Sequence, residues 1–199
     1  MNTIDNIMKI DYFKTEIGYI KNLEYVEDFK ILIGLLPDYF FRVAASSTGK
    51  YHPSFSLGEG GLLRHTKAAV RIAYELLNDP CIGDKYTTRE KDLFIIALTM
   101  HDGVKHGIPE ETYTRADHPL LVSKLIMEHK SELKMSEEDV KFLCSVIESH
   151  MGSWNTHPYT KEEILPKPKD KYQNFVHMCD YLASRKFLDI KFEDNEIIE

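Results

Sequence analysis

The chain has 199 residues, 43% of them hydrophobic, enough to bury the core of one compact domain, and a formal net charge of −7. That charge gives no general hold on polyphosphate chains, which disfavours long nucleic acid as a partner and leaves small anions held by a metal open. There is no run of 18 apolar residues and no signal-like start over 1–12, and Cys81, Cys144 and Cys179 are too scattered for a disulfide framework; the chain reads as soluble and cytoplasmic, with no membrane partner.

In chain order, Leu23, Val26, Phe29, Ile31, Leu32, Ile33, Leu35 and Leu36 recur at helical spacing and predict a helix over 22–36, closed near Gly34 to Pro37. A short helix over 38–45 follows, then a turn-rich loop over 46–61 ending in Gly60-Gly61. The spacing predicts a long helix over 62–77 whose inward stripe carries His65 beside Leu62, Ala69, Ile72 and Ala73. Thr87 with Glu90 reads as a capping box opening a helix that runs through an apolar stretch, 93–100, into His101-Asp102-Gly103. Asp117 is expected to cap the next helix, with Pro119 in its first turn and an end near His129. Ser136 with Asp139 opens another, 140–150, stopped by Gly152. A Pro/Lys linker over 167–170 precedes a last helix, 172–187, with Phe175, Val176, Cys179, Leu182 and Ala183 inward. The acidic segment 193–199 reads as frayed surface. No convincing strand and no repeat is visible, so the expected fold is all-α, a single helical bundle. Its expected parts are an N-terminal helical extension (1–46) packed on the core, the main domain (47–190) and an acidic tail (191–199).

A His-Asp dipeptide means little alone, but His101 and Asp102 end a helix that is apolar nearly all round, where both would be costly to bury without compensation. A metal is one natural compensation. His65 lies on an inward stripe, His150 at a helix end, and Asp180 among Met178, Cys179, Tyr181 and Leu182. A lone inward histidine is more often a hydrogen-bonded core residue. Several ligand-type residues, each on a different helix, match instead the way bundles assemble metal centres from facing helices.

The order Gly60-Gly61-Leu62-Leu63-Arg64-His65-Thr66, His101-Asp102 with Lys105, His118, His150 and Asp180 resembles the HD superfamily of metal-dependent phosphohydrolases over about residues 50 to 187. The likeness is strongest to the HD domain of bacterial 3′-5′ exoribonucleases, in the Gly-Gly segment and the preceding His52. The HD dinucleoside polyphosphate hydrolases share the ligand order. His-Asp-Gly-Val-Lys stands where His-Asp-Ile-Gly-Lys is usual, so Lys105 keeps its place while the glycine moves, and there is no room for the exoribonucleases' separate nucleic-acid-binding domain.

The resemblance implies an HD-type bundle and one or two divalent ions. His65, His101, Asp102 and Asp180 would hold the first, and Asp102, as a bridge, would share the second with His118 and His150. Imidazole and carboxylate ligands suit Fe, Mn, Co, Ni or Mg better than a closed structural zinc. Such a centre would clamp phosphate oxygens and activate water for in-line attack. Lys105 would neutralise charge growing on phosphoryl oxygens. Around it, His52 is a candidate phosphate donor, Arg64 and Arg185 candidates for a second phosphate, and Trp154 for stacking on a base. His106, His129, His157 and His177 receive no role.

The expected function is hydrolysis of a phosphoester or phosphoanhydride bond in a small nucleotide-type molecule. The alternatives are phosphodiester cleavage in short RNA or a cyclic dinucleotide, and a non-catalytic nucleotide-binding module whose metal is structural.

Overall fold

The computed structural model describes residues 4–46, 49–50, 52–188 and 190–198. Among them the protein is mainly α-helical. The elements are α1 (Asn6–Asp11), α2 (Lys14–Ile17), α3 (Leu23–Leu35), α4 (Gly61–Asn78), α5 (Pro80–Gly83), α6 (Thr88–Met100), α7 (His118–Glu128), α8 (Glu137–Glu148), α9 (Lys171–Ala183), and a hairpin of β1 (Phe192–Glu193) and β2 (Glu196–Ile197). No helix among these residues is long and apolar enough to cross a membrane.

The apolar stretch of α6 makes it the central helix, with Leu93, Phe94, Ile96, Ala97, Leu98 and Met100 all fully buried. Helix α4 packs against α6 and α9, and α8 packs against α6, α7 and α9, so every long helix after residue 60 borders a common interior. Phe13, Phe29 and Phe40 are also fully buried and share that core, so the aromatics preceding residue 46 are packing residues. Both capping boxes form: Thr87 accepts from the Glu90 backbone and Ser136 from that of Asp139, with the reciprocal bonds present.

Four expectations need correction. Segment 38–45 makes only a 3-10 turn, Asp38–Phe41. The Arg42 and Val43 carbonyls that would extend it instead accept the amides of Gly60 and Leu62, tying this strip to the start of α4. Asp117 does not cap α7, because Arg115 grips both its carboxylate oxygens at 2.9 and 2.8 Å. Helix α9 stops at Ala183, where the Ser184 hydroxyl donates to the Tyr181 carbonyl at 2.7 Å and competes with a further turn.

The acidic tail is not frayed over its described residues. Asp194 and Asn195, both at positive φ, make the two-residue turn that joins β1 to β2. Phe192 lies 5.2 Å from Phe55 between ring centroids, and Glu196 pairs with buried Lys67 at 3.0 Å. Glu199 lies outside the described residues.

Candidate metal centre

The Gly60-Gly61 pair has a steric basis. Gly60 is left-handed at φ 70°, and a β-carbon on Gly61 would collide with the Ser56 carbonyl, so only glycine lets the loop close on the first turn of α4. One turn later α4 presents His65 to the interior. Helix α6 ends at Met100 with His101 as its C-cap, which puts His101 and Asp102 immediately beyond the apolar run, and α7 begins at His118. His150 follows the end of α8, and Asp180 lies in the last turn of α9.

Five elements thus deliver six side chains to one place. Their ligand atoms form three overlapping groups able to hold a metal ion: His65, His101 and Asp102; His101, His150 and Asp180; and Asp102, His118 and His150. The Oδ2 atom of Asp102 lies 3.8 Å from His65 Nε2, 3.5 Å from His101 Nε2 and 2.5 Å from Lys105 Nζ. Its Oδ1 atom lies 2.8 Å from His118 Nε2 and 3.7 Å from His150 Nε2. The two oxygens of one buried carboxylate therefore face two different sets of imidazoles. Asp180 Oδ1 lies 3.0 Å from His65 Nε2 and 3.4 Å from His101 Nε2.

The protonation pattern shows why these residues fit a cation. His101, His118 and His150 each direct Nδ1 at the carbonyl three residues back, Leu98, Arg115 and Ile147, at 2.6 to 2.7 Å. A carbonyl only accepts, so each Nδ1 carries a hydrogen, and the Nε2 of each ring, turned toward the carboxylates, is the atom placed to ligate. For His118, which burial pushes toward its neutral form, the Nε2 lone pair then faces the lone pairs of the Asp102 carboxylate. Although 2.8 Å apart, His118 Nε2 and Asp102 Oδ1 satisfy neither partner, and His101 Nε2 and His65 Nδ1 are likewise buried without a hydrogen bond. A positive charge among the cluster's Nε2 and carboxylate atoms relieves those of His101, His118 and Asp102. A backbone carbonyl fixing the distal ring nitrogen is how proteins orient metal-ligating histidines.

Electrostatics agree. Burial alone would raise the Asp102 carboxyl, but Lys105 and His101, with His118 and His150 beside it, hold it well below the usual carboxylate range. Asp180 behaves in the same way: burial opposes ionisation, and His101 and His65 overcome it. Burial pushes His118 down despite Asp102. His101 is also burdened by burial, yet Asp102 and Asp180 raise it. Both carboxylates are thus ionised near neutrality, ready for a cation.

A cavity of about 290 Å³ opens onto the cluster. His65, Asp102, His150 and Asp180 reach it from the floor, and its walls include His52, Lys105, Trp154, His177, Tyr181 and Arg185. All of these lie at or beyond residue 52, so the described N-terminal helices do not cover the site. His101 and His118 stand behind the floor. His52 has a buried Nδ1 without a partner, and burial, reinforced by His65 and Lys105, pushes its imidazole down to about 4.

Arg64 is not brought to the site. It donates to the carbonyls of Phe55, Leu57 and Glu59 and to Asn195, lacing the 54–60 loop to the hairpin turn on another face. Its place one residue before His65 turns it a quarter of the way round α4, away from the cavity. His177 and Tyr181 were not singled out from sequence. His177 stands three residues before Asp180 on α9, a spacing that puts both on one helix face, and that was the available signal.

No protein-family model, curated protein or solved structure matches this chain.

Proposed function

We propose that the protein is a metal-dependent phosphohydrolase of the HD type, cleaving a phosphoester or phosphoanhydride bond in a small nucleotide-type substrate. One observation carries the reading. Three backbone-fixed imidazoles and two ionised carboxylates converge, partly unsatisfied, at and just behind the floor of an open cavity. A purely structural cluster would satisfy these atoms with one another or bury them out of reach.

His65, His101, Asp102 and Asp180 would hold one divalent ion, and Asp102, His118 and His150 a second. When bound, divalent cations there draw electron density from phosphoryl oxygens and acidify water. The rest falls to the chain itself. The backbone carbonyls behind His101, His118 and His150 keep the rings in one tautomer and orientation. Lys105, at the cavity wall, places an ammonium where negative charge grows on the phosphoryl oxygens. His52, neutral near pH 7, can donate a hydrogen bond to phosphate without being lost to an ion pair. As water oxygen bonds to phosphorus, the bond to the leaving oxygen breaks and that oxygen takes a proton. The local cations Lys105 and Arg185 suit an anion despite the chain's overall charge of −7.

Phosphate or nucleotide release from mononucleotides, dinucleoside polyphosphates, cyclic dinucleotides and short RNA, in the presence of Mn, Fe or Co, tests the reading. Turnover of at least one substrate, lost on Asp102→Ala, is expected. Metal uptake with no turnover of any of them would replace it with a nucleotide-binding module.

A further inference from the structure

We infer that the mouth of this cavity is a nucleobase subsite built from Trp154, Tyr181 and Arg185, and that its ligand is a single nucleotide unit whose phosphate points to the His/Asp cluster. Only the phosphate end rests on the phosphohydrolase reading.

The subsite grows from the same elements as the cluster. Tyr181 directly follows Asp180, and Trp154 stands four residues after His150. Their rings lie side by side, with centroids 6.1 Å apart and planes 22° from parallel, yet Trp154 is 56% exposed and Tyr181 38%. Two large aromatic faces held together in open space invite a third flat group. The Arg185 guanidinium sits 4.3 Å from the Tyr181 ring centroid and 5.8 Å from that of Trp154. Its Nε and Nη2 donate to the Ser184 hydroxyl, and no carboxylate among the described residues pairs with it. Its charge is thus left for a ring π-face or an anion at the mouth.

This wall is fixed in advance. His177 Nδ1–H donates to the His150 carbonyl at 2.6 Å, and its ring fills the space beside Gly152, which is left-handed at φ 58° and has no room for a β-carbon. On the far side, buried Asn155 donates to Glu163 at 2.7 Å and to the Leu165 carbonyl at 3.0 Å, while its own carbonyl accepts the amides of Ile164 and Leu165. Trp154 is therefore suspended between two anchored points, one of them the backbone of a proposed metal ligand. At about 290 Å³ the cavity is at the small end for ligand sites, with room for one base and its sugar phosphate and not for a second base.

Trp154 is the chain's only tryptophan, so its fluorescence reports this wall directly. Chelator-treated full-length protein is titrated with adenosine, AMP, ribose 5-phosphate and inorganic phosphate. Adenosine and AMP should change the emission saturably while the two base-free compounds do not. Tyr181→Ala and Arg185→Ala should each weaken adenosine binding, by about 10-fold for the lost stack, and Tyr181→Phe should retain it. Ribose 5-phosphate matching AMP, or Tyr181→Ala binding adenosine as tightly as the parent, would overturn the subsite. Adenosine carries no phosphate and this protein no metal, so the outcome stands whether or not the phosphohydrolase reading does.

Discussion

Asp102 is the residue on which the site turns, because its two oxygens face different sets of imidazoles. Asp102→Asn keeps the shape and removes the charge. It should lower bound divalent metal at least 10-fold, measured by elemental analysis after dialysis against trace metal. Unchanged metal content would mean that Asp180 and the histidines suffice. His52 makes a pH prediction. It is pushed down to about 4 in the folded protein, against an ordinary value of 6.5, so the unfolded chain takes up a proton first as pH falls. The stability from neutral His52 is therefore complete above about pH 6.5 and is lost as pH falls toward 4. His52→Gln removes this dependence, so urea midpoints should fall less steeply between pH 6.5 and 4 in the variant than in the parent. Parallel slopes would contradict a neutral His52.

At the scale of elements, the Gly60-Gly61 corner positions α4 and hence His65. Gly61→Ala forces a β-carbon against the Ser56 carbonyl and should destabilise by about 1–3 kcal/mol in urea denaturation. Gly58→Ala, left-handed at φ 66° but with open space around it, should cost only about 1 kcal/mol. A loss at Gly61 no larger than at Gly58 would show that the Ser56 carbonyl moves aside and that the contact does not set the corner. The long helices, both capping boxes and the inward positions of His65, His101, Asp102, His150 and Asp180 were legible because apolar period and cap chemistry are local signals, whereas His118 was reached only through the family resemblance. Less legible were features decided by distant partners. Arg64 looked like a site residue by adjacency, but the hairpin turn and the 54–60 loop claim its guanidinium. The tail read as frayed because its charges hid a two-residue Asp-Asn turn, and because no local pattern reveals that Lys67 waits for Glu196. The Trp154 wall depends on Asn155 and His177, whose roles exist only once α8, α9 and the intervening loop have come together.

Across the whole molecule, Lys67 joins three parts of the chain. Only 1% exposed, it donates to the Tyr12 carbonyl, pairs with Glu16 at 3.1 Å and reaches Glu196 at 3.0 Å, tying the N-terminal helices, α4 and the hairpin. Burial raises the Glu16 carboxyl even with Lys67 beside it. Lys67→Ala leaves Glu16 buried without its partner and should cost about 3 kcal/mol in urea denaturation. A loss under about 1 kcal/mol would mean that Glu16 accommodates by taking a proton. The same architecture converges on the His/Asp cluster, since helices α4, α6, α7, α8 and α9 all pack so as to bring their polar positions together. The most direct test is the metal content of full-length protein purified without chelator, measured by elemental analysis beside the Asp102→Asn variant. The account predicts one to two divalent transition-metal or magnesium ions per chain in the parent and loss of most of them in the variant. Parent protein that neither retains nor takes up a divalent ion from Mn, Fe, Co, Ni or Mg would contradict it.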